Sequence, residues 1–319
     1  MNDKAVYYSV GPLLYCPADK TSISNSIQSQ RFGTGYSLAL CLEDTINDYF
    51  VAEAEEQLTA SINNIYEARQ HSDFYLPKLF IRVRQPEQIH RLTKGFGNSG
   101  EIITGYILPK FSPSNADAYI EETASLNGGP GIPKYIMPIY ESPAIADLRT
   151  RRDTLYQLKE KLAPIEPAVL NIRLGGNDLS HLFGFRREPY ESIHQLTPIA
   201  NIFADIVTVY GMDYVISGPV WEYYSGRQWE SGLRREIKDD KLCGFIGKTV
   251  IHPNQIKVVN EEYRVSKRNY DDALQILNWN VREHSYVSGS STGERMNEYK
   301  THLNWARRTC FTAENFGII

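Results

Sequence analysis

Tyr135-Ile136-Met137-Pro138-Ile139-Tyr140-Glu141 is a short, nearly continuous apolar run that stops on an acid. A run of that length and composition fits a strand buried on both faces. An acid at the C-terminal end of such a strand points into a site rather than into solvent. A second stretch repeats the design. Leu170-Asn171-Ile172-Arg173-Leu174 leads through Gly175-Gly176-Asn177 to Asp178, so this acid also sits just past an apolar run and after small residues. Two acids on different strands can share a hard divalent cation such as Mg²⁺. Either could instead be a helix N-cap, a role that suits Asp178 and Ser180 alike.

Working outward, runs of the same kind occur at residues 13–16, 37–42, 79–83, 105–108, 135–139, 169–174, 214–216 and 248–251. The pieces between them look helical. Residues 51–69 carry acids early and apolar residues at helical spacing, and residues 154–162 resemble them. Strand–helix alternation repeated eight times over about 240 residues predicts an α/β fold, a (β/α)₈ TIM barrel. A doubly wound sheet is the alternative, but it usually needs fewer strands and a nucleotide fingerprint that is missing.

After the last run the pattern changes. Residues 260–279 read as one long, polar-faced helix carrying Val265, Tyr270, Ala273, Leu274 and Leu277. Residues 285–295 are rich in Ser and Gly and predict an exposed linker or flap. A final helix is expected over residues 299–316, with Leu303, Trp305, Ala306 and Phe311. The predicted organisation is a barrel over residues 1–258 and a C-terminal helical extension over 259–319, packed on the barrel or on a neighbouring subunit.

Composition bounds the class. The chain has 319 residues, 42% apolar and 23% charged, as an ordinary globular protein does. A net charge of −4 and a pI near 6.0 give no electrostatic footprint for nucleic acid or an anionic membrane. There is no apolar run of about 18 residues and no apolar signal core near Met1, so a cytoplasmic protein is expected. Cys16, Cys41, Cys243 and Cys310 are scattered without a C-x-x-C pair, which favours reduced thiols over a disulfide framework or a zinc site.

The ends of the eight runs carry the chemistry. In order they include Pro17-Ala18-Asp19-Lys20, Leu42-Glu43-Asp44, Ile81-Arg82-Val83-Arg84, Leu108-Pro109-Lys110, Glu141, Asn177-Asp178-Leu179 and Ile251-His252-Pro253-Asn254-Gln255-Ile256. This ordered set resembles the HpcH/HpaI aldolase and citrate lyase β-subunit superfamily, and within it the citrate lyase β-like and malyl-CoA lyase branch. Each block is weak alone; six in register across about residues 10–275 are specific. The extension, with Gly293-Glu294-Arg295-Met296-Asn297-Glu298-Tyr299 and His302-Leu303-Asn304-Trp305-Ala306, looks like that of a divergent subfamily of C–C bond lyases.

The resemblance implies a Mg²⁺-dependent TIM-barrel enzyme, with Mn²⁺ as an alternative ion, that cleaves or forms a C–C bond α to a carbonyl. Its substrate would be a small carboxylate or an acyl-CoA, and its assembly a homo-oligomer, a trimer or hexamer. Glu141 and Asp178 match the metal ligands. Arg82 matches the arginine that stabilises the developing enolate, and its planar fork also suits a carboxylate. Glu43 and Asp44 match an acidic pair after the second strand; Asp44 would hold water or substrate and Glu43 would orient the arginine. Lys20, Lys110, Gly176 and Asn177 fall at substrate-binding positions. Relatives often carry Asn at Arg84, so this second cation either meets a different anionic group or forms a surface ion pair. His252 suits a structural role beside Pro253, and the base is left between metal-bound water, Asp44 and an acid from a neighbouring subunit. Thioester hydrolysis at the same site, or a non-catalytic metal- or ligand-binding barrel, are the alternative functions.

Two glycine-rich stretches are decoys. Gly244-Phe245-Ile246-Gly247-Lys248-Thr249 resembles the end of a P-loop, but the position of the first required glycine holds Leu242, and the stretch opens a strand. Asn127-Gly128-Gly129-Pro130-Gly131 suits a turn before the fifth strand.

Overall fold

The computed structural model describes residues 2–129, 131–280, 282 and 285–319. Pro130 of the predicted turn, Met1, and residues 281, 283 and 284 of the extension lie outside the described residues. All eight predicted strands form: β1 Pro12–Pro17, β2 Ser37–Cys41, β3 Lys78–Arg82, β4 Ile103–Leu108, β5 Tyr135–Tyr140, β6 Ile172–Leu174, β7 Ile216–Ser217 and β8 Lys248–Val250. They pair in parallel in the order β7-β6-β5-β4-β3-β2-β1-β8. The circle closes through a parallel bridge between Gly218 and Lys248, where Gly218 N donates to Gly247 O at 3.0 Å. This is the (β/α)₈ barrel that the alternation predicts.

Helices α1 Ile23–Gln28, α2 Val51–His71, α3 Glu87–Phe96, α4 Ala116–Asn127, α5 Arg151–Leu162, α6 Gly176–Leu182, α7 Thr197–Tyr210, α8 Trp229–Leu242 and α9 Asn254–Tyr263 surround the strands. Period-2 alternation divides β1 to β5 between two apolar clusters. Leu13, Ala39, Phe80, Ile107, Met137 and Ile139 fill the barrel interior. Leu14, Leu38, Leu40, Leu79, Ile81 and Tyr106 pack outward against the helices. Gly105 is required by this packing, because a Cβ there would lie 2.0 Å from Tyr135 O on the next strand. Lys248 is fully buried on the outer side of β8, paired with Glu236 at 3.0 Å and Asp240 at 2.6 Å on α8. The Gly-Lys-Thr stretch is thus a strand with its lysine neutralised, not a phosphate loop.

The extension departs from the prediction in two ways. The single helix expected over residues 260–279 is two, α9 and α10 Lys267–Leu277, broken at Val265. Val265 is drawn into parallel pairing with the end of the chain: its N donates to Gly317 O at 3.0 Å, and its O accepts from Ile319 N at 2.9 Å. Ser266 then caps α10, accepting from Asn269 N at 3.3 Å. Apolar periodicity continued through the break, and only the long-range pairing ends the helix.

The Ser/Gly-rich segment is exposed, but it is a hairpin rather than a linker. β9 Val287–Gly289 pairs antiparallel with β10 Met296–Glu298, which leads into α11 Tyr299–Phe316. The buried carboxylate of Asp272 anchors it, accepting from Ser291 N and Arg295 Nε, both at 2.8 Å. α11 packs under the N-terminal ends of the strands: Asn315 Nδ2 donates to Ala5 O at 3.2 Å, and the Phe311 ring lies 5.2 Å from that of Tyr8. Within this chain the extension therefore covers the face opposite the acid-bearing strand ends. Among the described residues no helix is long and apolar enough to cross a membrane.

Candidate active site

Glu141 follows β5 and is buried. Its Oε1 accepts from Lys110 N at 2.9 Å and from Arg82 Nη2 at 3.3 Å. Its Oε2 faces the β6–α6 turn so closely that a Cβ on Gly175 would lie 2.0 Å away. Gly176 is equally confined, since a Cβ there would lie 2.6 Å from Ile193 Cδ1. The Gly-Gly pair thus lets the backbone before Asp178 pass against the Glu141 carboxylate. Asp178 lies half-buried in the first turn of α6, whose N-cap is Gly175 and which has no side-chain cap bond. Ser142, the N-cap of the short helix after Glu141, makes no cap bond either. Neither acid is a cap. Burial, offset by Arg82 but reinforced by the Asp178 charge, pushes the Glu141 carboxyl up to about 8.

Arg82, at the end of β3, gathers the neighbouring acids. Its Nη2 lies 2.6 Å from Glu43 Oε2 and 2.8 Å from Asp44 Oδ2 as well as reaching Glu141. Lys110, just after β4, closes the cluster from the other side, with Nζ bonded to Glu43 and 3.2 Å from Asp44 Oδ1. Burial raises the Glu43 carboxyl, against Arg82 and Lys110. Asp44 feels burial in the same sense, but Arg82, the hydrogen bond to Glu43 and Lys110 outweigh it and hold it low. Lys110 is one of two non-glycine residues at positive φ among those described, at 48°. That left-handed turn aims its amide at Glu141 and its ammonium at Glu43.

Of the other predicted site residues, Lys20 is exposed at the end of β1 and Asn177 at the start of α6. Arg84 is directed at the loop after β2, where it bonds Leu42 O at 3.2 Å, Ile46 O at 3.0 Å and the Asp48 carboxylate. It clamps the segment that carries Glu43 and Asp44. His252 uses Nδ1 to accept from Asn254 N at 3.2 Å and stacks on Tyr224 at 4.8 Å, as a structural histidine does.

Sequence reasoning missed Tyr15 and Arg173. Arg82 sits over the Tyr15 ring, 5.8 Å from its centroid, and Arg173 is buried in the barrel interior one layer below the site. A signal existed: alternation places Asn171 and Arg173 on one face of an otherwise apolar strand.

A family model described as C–C bond lyase of the TIM-barrel fold matches residues 4–318. Among solved structures, protein CitE from Mycobacterium tuberculosis, in complex with magnesium, acetoacetate and coenzyme A, is similar at 18% identity and a TM-score of 0.64, covering 96% of this chain and 99% of that one. A citrate lyase from Burkholderia xenovorans is similar at 12% identity and a TM-score of 0.69, covering 97% and 93%. A citrate lyase beta subunit from M. tuberculosis, complexed with oxaloacetate and magnesium, gives 18% identity and a TM-score of 0.54 over 81% and 99%. At such identities these likenesses speak for the fold. No curated protein matches the chain. With the family model covering nearly its whole length, the chain belongs to the C–C bond lyases of the TIM-barrel fold, a carbon–carbon lyase family with the citrate lyase beta architecture.

Proposed function

We propose that this protein is a Mg²⁺-dependent lyase that cleaves or forms a C–C bond α to a carbonyl in a small carboxylated substrate, free or as an acyl-CoA. The observation that carries the reading is the Glu141–Asp178 pair. Glu141 Oε2 has no hydrogen-bond donor among the described residues, and the carboxyl holds a proton to about 8 because burial and Asp178 disfavour its charge. A hard cation between the two acids would relieve both, so the donor set fits the ion. Glu141 and Asp178 would hold it. Among the described residues no group of three or more His, Cys, Asp or Glu side chains forms a full cage, which suits an ion that keeps positions for water and substrate. When bound, the ion would supply Lewis-acid polarisation of the substrate carbonyl.

The chain's own residues supply the rest. Arg82 presents a fixed guanidinium beside Glu141, where negative charge would build on the substrate oxygen as the bond breaks. Glu43 holds that guanidinium, and Lys110 holds Glu43, so the donor is oriented before substrate arrives. Asp44, more exposed and kept ionised by Arg82 and Lys110, is the acid best placed to orient a water or accept a proton.

Purified protein assayed with malyl-CoA, citramalyl-CoA, citryl-CoA, and oxo-acids with aldehydes, with and without Mg²⁺, tests the reading. Metal-dependent C–C cleavage that Glu141→Ala abolishes is expected. Absence of metal-dependent turnover, with Glu141→Ala behaving as wild type, would overturn it. Thioester hydrolysis without C–C cleavage would move the same site to the alternative chemistry.

A further inference from the structure

Cys243 directly follows α8 and is exposed, and its sulfur does not stand alone. Sγ lies 3.5 Å from His194 Nδ1, and His194 Nε2 lies 2.7 Å from Asp240 Oδ1. A thiol, an imidazole and a carboxylate thus stand in series, outside the acid cluster of the barrel mouth. The thiol is open to solvent, the imidazole is largely covered and the carboxylate is fully buried. Among the described residues no other cysteine sulfur has such a base. Cys16 and Cys41 are buried, and Cys310 is half-buried on α11 with no hydrogen-bond partner for its sulfur.

The series is held rigidly. Asp240 Oδ2 accepts from Lys248 Nζ at 2.6 Å, and a Cβ on Gly218 would lie 2.4 Å from the same oxygen. The His194 ring is flanked by Phe203 and Phe245, with centroids 5.9 and 5.7 Å away. The short helix Ile193–Gln195 that carries it starts with a capping box between Ser192 and Gln195.

The proton inventory gives the series a direction. A carboxylate only accepts, so His194 Nε2 carries the ring proton and Nδ1 turns a lone pair to the thiol. Burial and the charges of Asp240 and Asp239 push the Cys243 thiol up, and the end of a helix disfavours an anion. Cys243 therefore rests as a thiol, and its proton leaves when a base takes it. Nδ1 is that base by position, and Asp240 stabilises the imidazolium that forms.

We propose that Cys243 is a modification site for hydroperoxides, oxidised to the sulfenic acid with His194 as general base and Asp240 as the group that orients it. Sγ attacks one peroxide oxygen as its proton passes to Nδ1. The S–O bond forms, the O–O bond breaks, and the leaving hydroxide takes the proton from the imidazolium to become water. Sulfur gives up the two electrons that the peroxide gains. The site is independent of the metal site in the barrel mouth.

Full-length wild type and His194→Gln are treated with hydrogen peroxide, the sulfenic acid is trapped with dimedone, and the adducts are mapped by mass spectrometry. Glutamine keeps a donor for Asp240 but cannot take the thiol proton. In wild type Cys243 should label at least roughly tenfold faster than Cys310, and His194→Gln should slow Cys243 by a similar factor with Cys310 unchanged. Exposure alone would produce the first result but not the second. A Cys243 rate in His194→Gln within twofold of wild type therefore overturns the proposal, as does wild-type labelling of Cys243 no faster than that of Cys310. Should the variant fail to fold, nitrogen NMR of histidine-labelled wild type decides. A protonated Nε2 with a bare Nδ1 at His194 is expected, and the opposite tautomer overturns the assignment of the base.

Discussion

Lys110 turns left-handed, at φ 48°, and in doing so places its main-chain N–H 2.9 Å from Glu141 Oε1. One residue after β4 thereby caps the key carboxylate of β5 with its backbone while its side chain braces the acids after β2. The site is a set of strand ends cross-linked by such contacts.

That geometry separates two substitutions. A non-glycine residue in the left-handed region costs about 1 kcal/mol relative to glycine. Lys110→Gly and Lys110→Ala lose the same half-exposed ion pairs, but only glycine releases the strain. Urea denaturation should place Lys110→Gly above Lys110→Ala by about that amount. Equal midpoints would mean that the left-handed turn stores no strain.

Gly175→Ala tests the close passage of β6 against Glu141. The added methyl would meet Oε2 at 2.0 Å and must displace the carboxylate or the turn that carries Asp178. Far-UV circular dichroism should be preserved, while Mg²⁺ affinity falls at least about tenfold. Wild-type Mg²⁺ binding in this variant would remove the acid pair from consideration as the ion's seat.

The raised Glu141 carboxyl predicts a pH dependence of defined sign. Its folded value, about 8, lies above the ordinary 4.5, so the folded state binds the proton more tightly than the unfolded one. The stability this adds is fully present below 4.5 and is lost as pH rises through about 8. Without metal, wild type should therefore lose stability relative to Glu141→Gln between those limits. Mg²⁺ should restore it, and the affinity for Mg²⁺ should climb with pH as the competing proton leaves. Thermal melts across the range, with and without Mg²⁺, check both; parallel curves for the two proteins would contradict the assignment.

Arg84 is predicted to act through the loop after β2. Arg84→Met removes the bonds to Leu42 O and Ile46 O and the pair with Asp48. Stability should drop by about 1–2 kcal/mol, since two main-chain carbonyls lose a charged donor. Turnover should fall with Mg²⁺ affinity intact, because the freed loop holds Glu43 and Asp44 but not Glu141. A selective loss of substrate binding, with stability unchanged, would instead return Arg84 to the substrate.

The chain's linear pattern determined the barrel. Eight apolar runs alternating with helical stretches leave one economical closed arrangement, because buried parallel strands need helices on their outer face and acids at strand ends have one face on which to gather. The final helix was legible to the residue, Tyr299–Phe316, since its periodicity is local. What needed the tertiary structure was every feature made by residues distant in sequence. Val265 breaks a periodic helix because the end of the chain pairs with it, and Asp272 turns a Ser/Gly-rich stretch into an anchored hairpin. Whether Glu141 and Asp178 cap helices or face each other depended on where β5 and β6 bring them.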